Sequence, residues 1–191
     1  MPDESARTVL DELHGDLNDL MTAHGFACMG LRRMRDHFAS TPRRPGDEDP
    51  VIHLESLIPD NPDWPKNPAW LPSTEWRVSE ALRQVQDHGP VEALLGRQWI
   101  VSVYALWEEE YRPRLAAAHG RRVVDEKYSL LGDLRRLRHD VVHHRGIATA
   151  NYTGRCEILN WFKPREVIRV DGWHFGEFLR LFPWLQMETG V

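Results

Sequence analysis

Apolar residues recur at three- and four-residue spacing along residues 6–38: Val9, Leu10, Leu13, Leu17, Leu20 and Met21, then Phe26, Met29, Leu31, Met34 and Phe38. That period predicts helix, with Gly25 as the point where it could bend or break. A second helix is expected from about residue 74 to 87. Ser73 or Thr74 would cap it, Glu75 would sit in its first turn, and His88-Gly89-Pro90 would end it. Pro90 suits the opening position of the next helix. Residues 91–118 then carry Leu94, Leu95, Trp99, Val103, Leu106, Trp107 and Leu115 at helical spacing, and Pro113 predicts a kink or an early stop. Residues 125–145 form a further helix, with Leu130, Leu134, Leu137 and Val141 on one stripe and Gly146 as its C-terminal cap.

Two stretches depart from this period. Residues 40–72 hold Pro42, Pro45, Pro50, Pro59, Pro62, Pro65, Pro68 and Pro72, which no helix can run through. Within them Val51-Ile52-His53-Leu54 reads as a short strand or a packing segment. Trp64 and Trp70 argue for an ordered, irregular insertion, because aromatic area is usually buried. After Gly146, residues 156–159 and 166–170 are strand-like and are split by Trp161-Phe162-Lys163-Pro164. Asp171-Gly172 reads as a turn, and residues 173–187 as a last short helix.

The expected fold is therefore mainly α, a helical bundle in one domain over 1–191. It comprises N-terminal helices (1–39), the Pro-rich insertion (40–72), core helices (73–146) and a small β/helix appendage (147–191). Apolar residues at 41 % and charged residues at 28 % are ordinary for a globular protein. The net charge of −5 means that any nucleic-acid contact must come from a local basic patch. Cys28 and Cys156 form no CxxC pair, which opposes a disulfide framework and fits a reducing compartment. No apolar run spans a membrane, and the acidic start lacks a signal pattern, so the expected location is cytoplasmic.

The most chemically loaded stretch is Arg138-His139-Asp140-Val141-Val142-His143, followed by His144, Arg145 and Gly146. Imidazole moves protons near neutral pH, and guanidinium holds phosphate oxygens and the charge that builds on them. These are the groups a metal-free ribonuclease needs. Arg138 and His143 are the principal candidates, and Asp140 or His139 would orient His143 or tune it. Either Glu108 or Glu109 is placed to add a carboxylate from the preceding helix, and spacing does not choose between them. Arg135, Arg136 and Arg145 read equally as a mixed surface patch or as a hold on the RNA backbone. His144 falls on the core side of the helical wheel, which predicts a partly buried, hydrogen-bonded histidine.

The arginine of this motif, a polar residue after it, and a histidine beyond four intervening residues resemble the HEPN family of small helical domains. The preceding Trp107-Glu108-Glu109-Glu110-Tyr111-Arg112-Pro113 and the following Trp161-Phe162-Lys163-Pro164-Arg165-Glu166-Val167-Ile168 are similar to segments around the motif in its defence-associated members. The resemblance covers roughly residues 73–187. It implies a HEPN-like antiparallel bundle that dimerises and brings two motifs to one groove. It also implies metal-independent RNA cleavage that leaves a cyclic phosphate, in a toxin or antiviral role, with RNA, a second copy and an antitoxin or regulatory protein as partners and no cofactor. The alternative is a non-catalytic HEPN-like domain that binds a nucleotide or a protein. Some members carry a tyrosine two residues after the histidine, where modification silences them; Arg145 stands there in this chain.

Helix geometry bears on this independently. At about 100° per residue, Arg138 lies about 140° around the helix from His143. The two converge only if the arginine wraps, if the helix loosens before Gly146, or if a second chain supplies one of them. A two-fold dimer meets the last condition. His139 and His143, four apart, also match part of a zinc-protease signature. Asp140 replaces its glutamate, arginines surround the site and no third ligand is evident, so no metal is expected.

Overall fold

The computed structural model describes residues 5–43, 45–53 and 75–190. Of these, 66 % are helical and 5 % lie in strands or bridges, in line with a mainly helical chain. Ser73, Thr74, Trp64 and Trp70 lie outside the described residues, as does most of the Pro-rich insertion. The chain divides into two compact units, one of residues 1–28 and 92–191 and one of residues 29–91.

Helix α1 (Ala6–Ala39) belongs to the larger unit as far as Cys28. Gly25 does not break it: a helix interior tolerates a lone glycine at about 1 kcal/mol relative to alanine. Its stripe of Val9, Leu13 and Leu17 is buried in one core with Trp99, Ile100 and Val103 of α3 (Pro90–Ala105). The same core takes Leu130, Leu134 and Leu137 of α5 (Ser129–His143), Phe178 of α6 (Gly172–Leu181) and Met187 of α7 (Trp184–Thr189). Between α3 and α4 (Arg112–Ala118), residues Leu106–Tyr111 wind as a π-helical turn. The reason lies in Pro113 at the start of α4. Its ring has no N–H to donate and crowds the carbonyl four residues back, and a widened turn gives it room. That turn buries Trp107 against Tyr128 and lets the buried Tyr111 hydroxyl donate to Asp16 at 2.5 Å.

The expected strand at 156–159 does not form. Asp133 of α5 is 1 % exposed, and its Oδ2 accepts the backbone N–H groups of Glu157 (2.8 Å), Ile158 (2.6 Å) and Leu159 (3.0 Å). Donors that a ladder would use are taken by one carboxylate. Among the described residues, 166–170 make a single bridge, Ile147 with Val167, where the Ile168 N–H donates to the Gly146 carbonyl at 2.8 Å. The last helix is two, because Pro183 separates α6 from α7. Asp171, read as a turn, is the N-cap of α6; its carboxylate accepts the N–H groups of Trp173 and His174.

In the smaller unit, β1 (Val51–His53) pairs antiparallel with β2 (Glu75–Arg77). That pairing draws Glu75 out of the helix start where the sequence placed it, and α2 (Val78–Val85) begins three residues later. Asp49 takes the capping role, accepting the Ser79 N–H at 2.9 Å and the Ser79 hydroxyl at 2.8 Å. Phe38, Ala81 and Val85 form this unit's own core.

Candidate functional site

Helix α5 carries the motif residues because its leucine stripe is buried and the opposite side is not. It ends at His143, and its C-cap, His144, already has non-helical angles (φ −120°, ψ 23°). The chain then turns left-handed at two consecutive residues, Arg145 (φ 55°) and Gly146 (φ 74°). The reversal thus begins one residue before the expected glycine. Arg97 latches it: its Nη1 donates to the Arg145 carbonyl at 3.0 Å and its Nε to the Ala93 carbonyl at 3.1 Å. The wheel does not apply beyond His143, and this corrects the reading of His144, whose side chain is 43 % exposed rather than on the core side.

Three imidazoles and one phenol cluster here. The His139 ring stacks on Tyr152, with centroids 3.5 Å apart and planes 13° from parallel. His143 lies 4.6 Å from His139 and His144 lies 5.6 Å from it, centroid to centroid. His139 Nδ1 is buried without a hydrogen-bond partner among the described residues. Burial pushes the His139 pKa below its ordinary value, and the neighbouring His143, His144 and Arg138 act in the same direction.

Asp140 is fully buried. Its Oδ2 accepts the N–H groups of Thr149 (2.7 Å) and Thr153 (3.0 Å), and its Oδ1 accepts the Thr149 hydroxyl (2.9 Å). Burial alone would raise its pKa; these donors outweigh burial and hold it below the usual carboxylate range. The nearest imidazole on this carboxylate is His144, with Nε2 3.9 Å from Oδ1, rather than His143. Asp140 therefore ties the 149–153 loop, and with it Tyr152, to the end of α5.

Arg138 leaves the helix on another side. Its guanidinium carbon sits 5.9 Å from the centre of the Tyr104 ring, and it makes no ion pair among the described residues. Arg138 and His143 make no direct contact in one chain, in keeping with their angular separation on the helix. The Tyr104 hydroxyl donates to Glu108 Oε2 at 3.3 Å, and Arg112 Nη1 donates to both Glu108 oxygens at 2.8 and 2.9 Å. Glu108 is thus the carboxylate on the Arg138 side. Glu109 lines a separate groove with Asp16, Asp19 and Glu110. Arg136 is committed to the buried Asp133 at 2.6 Å, whereas Arg135 and Arg145 are exposed and without ion pairs among the described residues.

Sequence reasoning does not single out Tyr104 or Tyr152. Tyr104 has a signal, since it stands four residues before Glu108 on the same helical run. Tyr152 has none, because only the loop that Asp140 pins brings it to His139.

The lowered His139 pKa has a consequence for stability. The folded chain binds that proton more weakly than the unfolded chain. As pH falls below about 6.5 the unfolded state protonates first and stability drops. His139→Gln removes this contribution, so its urea-unfolding free energy should fall less between pH 7 and pH 5 than that of the wild type. Equal slopes would refute the assignment.

No known protein family, curated protein or solved structure matches this chain.

Proposed function

We propose that this protein is a metal-independent endoribonuclease of HEPN type, acting as a homodimer in a toxin or antiviral role. The observation that carries the reading is the end of α5. There an arginine without an ion pair among the described residues and an exposed histidine stand five residues apart, with a cluster of further imidazoles beside them. An imidazole, His143 in this reading, takes the proton of a 2′-hydroxyl. The oxygen attacks the adjacent phosphorus, the 5′-oxygen departs with a proton, and a 2′,3′-cyclic phosphate remains. Arg138 offsets the charge on the pentavalent phosphorus, and Arg135 and Arg145 hold the strand. His139 packs beside His143 and positions it, Asp140 holds the 149–153 loop, and Glu108 orients the Arg138 side through Tyr104.

Because Arg138 and His143 diverge within one chain, the site is completed by a second copy. Val142, Ile147 and Val167 are exposed apolar residues at or near this end of α5, as a surface covered by a partner requires. Purified protein in EDTA should cut labelled RNA, and Arg138→Ala and His143→Ala should each slow cutting by about 100-fold or more. Intact RNA with the wild type, or variants that cut equally well, would refute the proposal. Bacterial growth arrest relieved by His143→Ala would favour it over a non-catalytic binding domain.

A further inference from the structure

The sequence pairs His139 with His143 and offers no third ligand; the fold produces a different set. One donor atom from each of His139, Asp140 and His144 lies within 4.8 Å of the other two. We propose that these three residues form a binding site for a transition-metal ion of the zinc class. Four features support it. The Asp140 carboxylate is fully buried and is held in place by Thr149 and Thr153, as outer-shell bonds hold a metal-ligating carboxylate. The His139 ring is fixed by its stack on Tyr152. Its Nδ1 is buried and finds no hydrogen-bond partner among the described residues, an unmet polar atom on a ring of the cluster. The His144 side chain is 43 % exposed, with Nε2 already 3.9 Å from Asp140 Oδ1. Donors about 2.1 Å from a tetrahedral zinc stand about 3.4 Å apart, so from separations of up to 4.8 Å the His144 ring must rotate and the His139 ring must shift slightly along its stack to close the set, which leaves a fourth position for water.

Two imidazoles and one carboxylate suit zinc and its neighbours in the transition series, and not magnesium, which takes oxygen ligands. Arg138, which already lowers the His139 pKa, opposes a divalent ion and weakens its binding. The site does not depend on the RNA-cleavage reading, since binding can be measured without RNA. If that reading also holds, zinc would slow cleavage by engaging His139, the neighbour that positions His143, and EDTA would relieve it.

The test is titration of zinc into the EDTA-stripped full chain by calorimetry, with magnesium as control. One site per chain is expected, with no response to magnesium. His139→Ala and His144→Ala should each weaken zinc binding at least tenfold, while His143→Ala should change it less than threefold. His144 is exposed, and His144→Gln keeps a side chain of similar length if the alanine variant misfolds. Absence of saturable binding would overturn the site. So would loss through His143→Ala with His144→Ala unaffected, because that pattern describes an ordinary pair of surface histidines four residues apart.

Discussion

Asp133→Ala should destabilise the protein by about 3–5 kcal/mol, as much as truncating a large buried core side chain. Asp133 lies in the second turn of an amphipathic helix, yet it is 1 % exposed. One of its oxygens satisfies three successive backbone N–H groups, those of Glu157, Ile158 and Leu159. Its other oxygen accepts from Arg136 at 2.6 Å. Truncation strands these donors where water has little access, and each unmet buried donor costs about 1–3 kcal/mol, without full additivity. The loop after Arg155 would lose its anchor on α5, and Leu159, which is fully buried, would lose its seat. Asp133→Asn retains one carbonyl oxygen and should recover part of the loss. Thermal unfolding followed by near-ultraviolet circular dichroism should show a midpoint lower by about 10 °C for the alanine variant. A shift of a degree or two would mean that the carboxylate does not carry this segment.

Gly96→Ala should cost about 2–3 kcal/mol, although alanine is the better helix former. A Cβ at Gly96 would stand 2.3 Å from the Val170 carbonyl oxygen and 3.1 Å from the Val170 carbonyl carbon. These are backbone atoms of a buried segment, so α3 or the chain around Val170 must move apart. Gly132→Ala is the contrasting case. Gly132 is exposed in α5, and a methyl group added there would meet nothing within 4 Å, so alanine should stabilise by about 0.5–1 kcal/mol. Urea unfolding of the two variants should therefore move in opposite directions. Movement in the same direction would show that helix propensity, and not the approach to Val170, decides the Gly96 result.

Helices were legible in the sequence wherever an apolar stripe repeated for several turns, as with Val9, Leu13 and Leu17 or with Leu130, Leu134 and Leu137, because periodic burial is a local property of order. Pro90 opening α3 and Pro113 disturbing the run after it were legible for the same reason: proline's missing N–H acts on its own neighbours. The motif residues Arg138 and His143, and their divergence around one helix, followed from the helical angle alone. Tertiary structure decided what local order cannot encode. Asp133 and Asp140 fall seven residues apart on the buried side of α5 and draw backbone donors from loops that follow, so residues 156–159 give up a strand for a carboxylate. His144 leaves the wheel because the chain reverses at Arg145, and Tyr152 reaches His139 only because Asp140 holds Thr149 and Thr153. A carboxylate's choice of partners depends on which distant donors the core brings within about 3 Å of it, and that is a matter of packing rather than of spacing along the chain.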